Sequence, residues 1–516
     1  MTRPNFVVFC TDQHRADWLG CYGHPVVKTP HIDGLAARGL KMTEFHVASP
    51  VCMPNRASLL TGRYPTQHGL RHNGCLLPQR ANTFVEVLAA SGYATAAIGK
   101  SHLQPFTDQA PIREQRAATG PIAEAWKAEP EDYGQEEPGR YDSDGRYHFK
   151  TPYYGYGHVD MVTAHGDRCG GHYAQWFRDK APNWEALHDR ANQLPHNYSA
   201  PQAYRTPIPE DLYPTAYIRD RAIEWLKGRE ADEPFFLFVS FPDPHHPFNP
   251  PGRYWDMYSP EQFDVPLPYE AHRNPTPPMR WLHEQWQTGG TATTPQTAQM
   301  HDAEKIRQAM ALTAGMITMV DDAIGAVLGA LEDAGLGETV TCFTADHGDY
   351  MGDFNLLLKG ALPFRSITRV PFIWADPAGP KGESDTLAST LDISASVLHR
   401  AGIAPYNGMM GRPIQPVVSG DMPERDDLLV EYNDGGPRLG FAKPARVRSL
   451  LTPTHRLTLY GGLDWGELYD RAADPDETTN LWDAPEAATV RADLTERLAH
   501  QLTGLMDESP LSQRLA

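Results

Sequence analysis

Residues 50–63 read PVCMPNRASLLTGR, and the rest of the chain is interpreted outward from this stretch. Pro54 suits the first turn of a helix, and Gly62 suits the left-handed residue that follows a helix end. Cys52 would then lie at a helix N-terminus, where free N–H groups and the helix dipole favour an anionic ligand. Arg56 adds a planar cation suited to bidentate contact with sulfate or phosphate. These residues alone predict either a buried cysteine at the start of a helix or an anion site that includes Cys52.

The composition is typical of a folded globular protein. Hydrophobic residues make up 41% of the 516 residues and charged residues 22%, and no unbroken apolar run approaches the about 20 residues of a membrane span. The length allows one large domain with a smaller appendage, or two or three domains. A net charge of −19 argues against nucleic acid and membranes as partners, so an anionic substrate would need a local cluster of positive charge.

The cysteines and the N-terminus indicate a reducing compartment. The six cysteines, at positions 10, 21, 52, 75, 169 and 342, form no CxxC pair and no regular framework. The apolar run at residues 6–10 is too short for the core of a signal peptide. We therefore expect a cytoplasmic protein with reduced cysteines, in which Cys52 is available for chemistry.

Four apolar runs predict strands that are buried in a parallel sheet, at residues 5–11, 93–98, 235–241 and 339–344. Ligands of open α/β sheets gather beyond the carboxyl ends of the strands. Each run is followed at once by polar residues: Asp12 and Gln13, Lys100 and His102, His245 and His246, and Asp346 and His347. The sequence therefore predicts one shared site at this edge of the sheet.

Some of these residues suit metal binding. Asp346 and His347 are adjacent after a strand and can ligate one divalent metal. Asp12 stands where another ligand would, although an aspartate in this position can also cap the following helix.

Others suit anion binding and proton transfer. Lys100 and His102 can both face an anion, and the alternative is a solvated loop. His245 lies in a proline-flanked loop after a strand, which suits a positioned proton donor, although a lone histidine is more often structural.

The remaining sequence predicts the domain organisation. The longest helix is predicted at 303–334, where apolar residues step by three and four. Residues 104–215 have weak periodicity, and we expect them, with 250–300, to form loop excursions that shape a pocket. A helix predicted at 386–402 completes a catalytic domain over 1–403. Strand-like runs at 428–432, 447–451 and 457–460 and an amphipathic helix at 485–505 predict a C-terminal subdomain over 404–516.

Several segments resemble motifs of one enzyme family. Cys-x-Pro-x-Arg followed by Leu-Thr-Gly-Arg resembles the sulfatase signature, in which a modifying enzyme oxidises the cysteine to Cα-formylglycine. Met53, Asn55 and Ser101 depart from the family's usual residues. Further segments resemble sulfatase motifs in the order that the family uses: 29–39 (TPHIDGLAARG), 99–103 (GKSHL), 244–248 (PHHPF), 344–352 (TADHGDYMG), 359–360 (KG) and 467–481 (ELYDRAADPDETTNL).

The resemblance implies an alkaline-phosphatase-like α/β fold, with a mixed central sheet flanked by helices and a smaller C-terminal α+β subdomain. It implies hydrolysis of a small anionic ester with one divalent metal and a formylglycine derived from Cys52. Asp12, Asp346, His347 and Cys52 would bind the metal, and Gln13 is a further candidate ligand. Family analogy gives Ca²⁺, whereas the nitrogen of His347 favours Mn²⁺.

The resemblance also implies roles for the charged residues. The hydrated formylglycine would attack sulfur or phosphorus, while the metal lowers the pKa of the diol and binds a nonbridging oxygen. Arg56, Lys100 and Lys359 would offset the charge of the transferring group. His245, helped by Lys359, would protonate the leaving group, and His102 would assist the breakdown of the covalent intermediate.

One departure leaves the substrate open. Many sulfatases carry Asp-Asp after the first strand, whereas Asp12-Gln13 is a pair found in the phosphonate monoester hydrolase branch. The hypotheses are a sulfate ester hydrolase acting on aryl sulfates, a phosphonate monoester or phosphodiester hydrolase, and an enzyme promiscuous between the two. A silent binding protein with unmodified Cys52 is a further hypothesis, and a two-zinc phosphatase is disfavoured because the nucleophile is neither Ser nor Thr. Expected partners are a formylglycine-generating enzyme and, by family habit, other copies in a homodimer or homotetramer.

Overall fold

The structure is a computed structural model that describes residues 3–109, 125–127, 129–143, 145–230, 233–290 and 296–514. Its strands are β1 (Phe6–Thr11), β2 (Leu40–Met42), β3 (Phe45–His46), β4 (Ala94–Gly99), β5 (His158–Thr163), β6 (Gly170–Gly171), β7 (Phe235–Ser240), β8 (Gln299–Met300), β9 (Val340–Ala345), β10 (Leu356–Leu357), β11 (Phe372–Ala375), β12 (Gly382–Ser384), β13 (Ala388–Ser389), β14 (Leu428–Asn433), β15 (Arg446–Leu451), β16 (His455–Tyr460) and β17 (Gly466–Asp470).

The α-helices cover the faces of the sheets. They are α1 (Pro30–Arg38), α2 (Cys52–Thr61), α3 (Pro65–His68), α4 (Phe84–Ala90), α5 (His172–Lys180), α6 (Trp184–His188), α7 (Pro214–Gly228), α8 (Pro277–Gln287), α9 (Ala303–Asp333), α10 (Arg365–Thr368), α11 (Leu391–Arg400), α12 (Ile414–Val418) and α13 (Ala488–Gly504).

The central sheet has nine strands in the described part of the chain, in the order β12-β2-β11-β9-β1-β7-β4-β5-β6. The neighbours β9, β1, β7, β4 and β5 are parallel, with Phe6 of β1 opposite both Phe236 and Val340. β11 runs antiparallel to β9 and β2, and β6 runs antiparallel to β5. The predicted α/β fold with a mixed central sheet is therefore confirmed.

The first strand shows why helices cover both faces of this sheet. The sequence of β1, FVVFCT, is apolar almost throughout, and every residue is buried. Val7 and Phe9 pack in a core with α7 and α9, whereas Phe6, Val8 and Cys10 pack on the other face with α2, α4 and α11. A strand that is apolar on both faces is stable only between two layers, and burial of each Phe or Val side chain contributes about 1.5–3 kcal/mol.

The long predicted helix is α9, which lies in the core beside α7. The carboxylate of Asp302 caps its first turn by accepting a hydrogen bond from the backbone N–H of Lys305 (3.0 Å). By length and hydropathy α9 could cross a membrane, but 72% of its most apolar window is buried inside the protein. Its apolar residues therefore form part of the core.

The segment 104–215 is more regular than the sequence predicts. β5 and β6 extend the central sheet, and Tyr173 and Phe177 of α5 pack in the core. The sequence of β5, HVDMVT, mixes polar and apolar residues, so it shows neither an unbroken apolar run nor a regular alternation that would indicate a strand. The second predicted excursion, 250–300, likewise contains α8 and β8, while residues 110–124 and 291–295 lie outside the described ranges.

The last part of the chain forms the smaller α+β subdomain. β14, β15, β16 and β17 make an antiparallel sheet, close to the strands predicted at 428–432, 447–451 and 457–460. Leu494 and Leu498 of α13 pack against Leu450, Leu457 and Leu468 of this sheet.

α11 begins at Leu391 rather than at the predicted residue 386, because 388–389 pair with β3 instead.

Candidate active site

The candidate site lies at the carboxyl ends of five neighbouring parallel strands. Because β9, β1, β7, β4 and β5 lie side by side, the residues that follow them meet at one edge. The predicted residues brought together in this way are Asp346 and His347 after β9, Asp12 and Gln13 after β1, His245 after β7, and Lys100 and His102 after β4. Cys52 and Arg56 arrive on the first turns of α2.

Backbone hydrogen bonds continue beyond the strand ends and hold the loops in place. The N–H of Asp346 donates to the carbonyl of Thr11 (3.0 Å), and the N–H of Lys100 donates to the carbonyl of Ser240 (3.0 Å). Gly99, just before Lys100, has a φ of +108°, and a Cβ there would lie 1.9 Å from the Ser240 carbonyl oxygen. A side chain cannot fit at this position, so the glycine sets the direction of the Lys100 loop.

Cys52 is the first residue of α2 and is buried against the polar cluster. Its Sγ lies 3.0 Å from Nε2 of His347, 3.4 Å from Nζ of Lys359 and 3.7 Å from Oδ1 of Asp12. Burial, followed by the charge of Asp12, raises the pKa of the thiol to about 11, against the lowering effect of Lys359 and Lys100. The thiol therefore stays protonated near neutral pH, and a protonated thiol is a weak nucleophile.

Four ligand atoms from Asp12, Cys52, Asp346 and His347 lie within 4.8 Å of one another. Nε2 of His347 is 3.5 Å from Oδ1 of Asp12 and 3.6 Å from Oδ1 of Asp346. Burial lowers the pKa of His347 to about 4, with a further contribution from Lys359, so the imidazole is neutral. Its Nδ1 lies 2.8 Å from the carbonyl of Gly348 and must donate there, which leaves the Nε2 lone pair facing the two carboxylates.

The amide of Gln13 is held at the edge of this cluster. Its backbone N–H donates to Oδ1 of Asp346 (3.1 Å), and its side-chain Oε1 accepts from Lys359 Nζ (2.7 Å). Its Nε2 donates to Asp349. An amide oxygen has two lone pairs, so Oε1 keeps one for a metal, and the ligand role of Gln13 stays a prediction.

Four of the five N–H donors of Arg56 contact groups within the protein. Its Nε donates to Oδ2 of Asp346 (2.7 Å) and its Nη2 to Oδ2 of Asp12 (3.4 Å). Its Nη1 donates to the carbonyl of Lys100 and to Oγ of Ser240, both at 2.8 Å. These contacts orient the two carboxylates, and the role of Arg56 in offsetting the charge of the transferring group stays a prediction.

Two buried lysines supply the positive charge that the acidic chain needs locally. Nζ of Lys100 pairs with Asp12, and this charge, against the effect of burial, holds the pKa of that carboxyl well below its usual range. Nζ of Lys359 donates to Gln13 and, at 2.8 Å, to Nε2 of His245. Both ammonium groups border the space around Cys52 Sγ or its ligand cluster.

His245 is a neutral imidazole with a fixed tautomer. Burial, then the charges of His165 and Lys359, places the pKa of its ring well below the usual value. Its Nδ1 lies 2.6 Å from the carbonyl of His246 and donates to it, so Nε2 accepts the hydrogen bond from Lys359. A proton passing to a leaving group at Nε2 can thus be drawn from Lys359.

His102 lies further from the cluster. Its backbone has a φ of +56°, and its ring stacks on Phe106 with centroids 3.9 Å apart. The backbone N–H donates to Glu136 (3.0 Å), while Nδ1 is buried and has no partner among the described residues. Burial lowers the pKa of the ring well below its usual value. The part of the chain that is described shows no hydrogen bond between His102 and Cys52, so its predicted role in the second step stays a prediction.

The sequence interpretation missed His165. It follows β5, and its ring lies 2.6 Å from Lys100 Nζ (at Nε2) and stacks on His245 with centroids 3.6 Å apart. The available signal was its position just after a strand, like the other site residues. The weak periodicity of 104–215 conceals this strand, because it predicts loop throughout that segment.

Two family models match the chain. The Sulfatase model matches residues 4–403, and the model described as N-sulphoglucosamine sulphohydrolase, C-terminal, matches residues 359–503. The chain belongs to the sulfatase family. This family is known to use a metal ion and formylglycine. Membership of the family supports hydrolysis of sulfate esters as the general activity of this chain.

Individual relatives of this sulfatase span nearly its whole length. An arylsulfatase of Clostridium perfringens is 27% identical over 94% of this chain and 91% of its own. An ulvan-active sulfatase of Formosa agariphila is 29% identical over 98% of this chain and 82% of its own. The solved phosphonate monoester hydrolase of Agrobacterium radiobacter matches with a TM-score of 0.77 and 24% identity, covering 100% of this chain and 98% of the other. The alkaline-phosphatase-like fold is thereby confirmed.

The cluster around Cys52 fits both groups that the family uses. Two carboxylates and an unprotonated imidazole nitrogen converge beside Cys52 Sγ, and such a set of oxygen and nitrogen ligands suits a divalent cation. Arg56 and the carbonyl of Gly348 hold the ligands from behind, as the outer partners of metal sites do. Sγ of Cys52 faces the same cluster, so a group formed from it would adjoin the cation.

Proposed function

We propose that this sulfatase hydrolyses aryl sulfates with a formylglycine derived from Cys52 and one divalent metal. The observation that carries the proposal is the position of Cys52 Sγ, which lies within 3.7 Å of His347, Lys359 and Asp12 at the N-terminus of α2. A nucleophile, a metal-ligand set and a cation thus meet at one point.

The metal would be held by Asp12, Asp346 and His347, with Cys52 and Gln13 as further ligands. When bound, it would supply Lewis acidity and would lower the pKa of a hydroxyl group of the hydrated formylglycine. Both Ca²⁺ and Mn²⁺ remain in this proposal, since the carboxylate oxygens suit the first and the imidazole nitrogen suits the second.

The chain's own residues bind the ester and move the proton. The ammonium groups of Lys100 and Lys359 attract the anionic sulfate, and they act strongly because they are buried. Lys359 Nζ, at 2.8 Å, passes a proton to the lone pair on Nε2 of His245, and Nε2 delivers that proton to the departing phenolate oxygen. Phe106, which stacks on His102 and lies 5.4 Å from Lys100 Nζ, is the aromatic side chain that we propose borders the aryl group.

The second candidate function is hydrolysis of phosphonate monoesters or phosphodiesters, alone or beside sulfate hydrolysis. The observation that favours it is Gln13, which places a neutral amide where many sulfatases have a second carboxylate. The phosphonate monoester hydrolase of Agrobacterium radiobacter shares the fold, but fold alone does not choose between the two substrates.

The deciding experiment compares kcat/KM for 4-nitrophenyl sulfate and for a phenyl phosphonate monoester. We expect the sulfate to be turned over with the higher kcat/KM. A far higher value for the phosphonate would make the aryl sulfatase assignment wrong and favour the second candidate. Cys52→Ala should abolish both activities, and Cys75→Ser, which changes a thiol outside the site, serves as the matched control.

The maturation and location belong to the same proposal. A formylglycine-generating enzyme would convert Cys52, and the conversion is expected in the cytoplasm. The six cysteines, all within the described ranges, form no disulfide with one another, which is consistent with a reducing compartment. A homodimer or homotetramer remains a proposal from family habit.

A further inference from the structure

We propose that His165 is a positioning residue that fixes both the proton donor His245 and the cation Lys100, and that its main effect is on the departure of the leaving group. The inference rests on the proposed function, because it takes His245 as the proton donor. His165 itself acts through these two side chains rather than on the substrate.

The first contact joins His165 to Lys100. Nε2 of His165 lies 2.6 Å from the ammonium Nζ and accepts a hydrogen bond from it. Lys100 also forms an ion pair with Asp12, so His165 and Asp12 together set where the ammonium points. An ammonium group has three donor directions on a flexible stem, and two fixed acceptors leave one direction for an anion.

The second contact is a stack of three imidazoles. The rings of His165 and His245 have centroids 3.6 Å apart and planes 12° apart, and those of His245 and His246 have centroids 4.0 Å apart and planes 28° apart. His245 therefore lies between two flat rings. The hydrogen bond from its Nδ1 to the His246 carbonyl fixes the tautomer. The two flanking rings fix the plane of the His245 ring and therefore the direction of Nε2.

Contacts between the two loops hold His165 in this position independently of the rings. Asn249 Nδ2 donates to Oδ1 of Asp167 (2.6 Å), which ties the loop after β5 to the loop after β7. Gly166, which lies between His165 and Asp167 in the chain, has a φ of +55°, and a Cβ there would lie 2.6 Å from Oδ1 of Asn249. The two loops are thus packed closely enough to keep the rings of His165 and His245 in contact.

Two substitutions separate the two contacts. His165→Gln can keep an acceptor near the position of Nε2 for Lys100, but it loses the stack. His165→Phe keeps a flat ring against His245, but it loses the acceptor. His188, which stacks on Phe177 away from the site, gives a matched control in His188→Gln.

The experiment measures kcat/KM for each variant with phenyl sulfate, whose leaving group needs a proton, and with 4-nitrophenyl sulfate, whose leaving group needs it less. We expect His165→Gln to lose about 10- to 100-fold with phenyl sulfate and only a few-fold with 4-nitrophenyl sulfate. His165→Phe should lose similar factors with both substrates, because a misplaced Lys100 weakens binding of either anion. The control should match the wild type.

Two results would overturn the inference. If His165→Gln lowers kcat/KM by the same factor for both substrates, the substitution causes a general structural defect. The same conclusion holds if its melting temperature falls far enough to account for the lost activity. Unchanged kinetics in both variants would show that His165 positions nothing. If the wild type turns over neither sulfate, the proposed function fails instead, and the same comparison with phenyl and 4-nitrophenyl phosphonate monoesters tests His165.

Discussion

Replacing Arg56 by methionine should weaken metal binding more than it weakens the chemical step. The guanidinium donates to Asp346 at 2.7 Å and to Asp12 at 3.4 Å, and these two carboxylates are the proposed metal ligands. Its Nη1 donates to the carbonyl of Lys100 and to the hydroxyl of Ser240. Removing it therefore frees the ligands without removing any of them.

The expected loss of metal affinity follows from the partners that Asp12 and Asp346 keep after the substitution. Breaking a buried ion pair completely costs about 3–5 kcal/mol. Asp12 keeps its pair with Lys100, and Asp346 keeps the backbone N–H of Gln13 at 3.1 Å, so neither carboxylate is left without a partner. We therefore expect the smaller loss that is typical of outer partners of metal ligands, about 10- to 100-fold in metal affinity, or about 1.4–2.8 kcal/mol.

The assay titrates metal-free protein with Ca²⁺ or Mn²⁺ and follows both the melting temperature and the hydrolysis rate. Arg56→Met should need about 10- to 100-fold more metal and should recover most of its kcat at saturation. Arg38→Met, which removes an exposed arginine paired with Glu332 at 4.0 Å, is the control. Unchanged metal affinity with a low kcat at saturating metal would refute the reasoning and place Arg56 on the substrate instead.

Three further predictions concern single side chains. Lys359→Met should lower kcat/KM for 4-nitrophenyl sulfate by about 10²–10³-fold, because it removes a buried charge beside the transferring group; a loss below tenfold would contradict this role. Glu136→Ala should lower the free energy of unfolding in urea by about 2–4 kcal/mol, because Glu136 accepts three backbone N–H groups at 2.9–3.2 Å and the hydroxyl of Tyr153 at 2.6 Å, and exposed Glu137→Ala is the control. In unconverted, metal-free protein, iodoacetamide should label Cys75 before Cys52 near neutral pH. Burial raises the pKa of Cys52 to about 11, whereas at Cys75 the hydrogen bond with His72 outweighs burial and lowers the pKa, so the opposite order of labelling would contradict these shifts.

Much of the site could be predicted from the sequence because it is built on strand ends. Asp12, Lys100, His245 and Asp346 each follow a short apolar run, and β1, β4, β7 and β9 lie side by side in the sheet. Apolar runs of this kind specify buried parallel strands, and the fold then brings their ends together. The residues that the structure gathers are therefore those that local pattern and family resemblance indicate.

The parts that could not be predicted depend on contacts between distant residues. Arg56 and Asp346 are 290 positions apart, so nothing in the sequence shows that the guanidinium pairs with this carboxylate. His165 follows a strand whose polar residues hide its period, and only the stack on His245 reveals a role. The thiol of Cys52 is a similar case, since its raised pKa arises from burial among groups brought from other strands.

The central claim is that Cys52 is converted to an aldehyde in the active protein, and mass spectrometry of the tryptic peptide 42–56 tests it most directly. This peptide contains Cys52 as its only cysteine. In protein purified from its native host and active on sulfate esters, we predict the mass of the formylglycine form and labelling by a hydrazide probe but not by iodoacetamide. A peptide that carries the intact thiol in fully active protein would contradict the account.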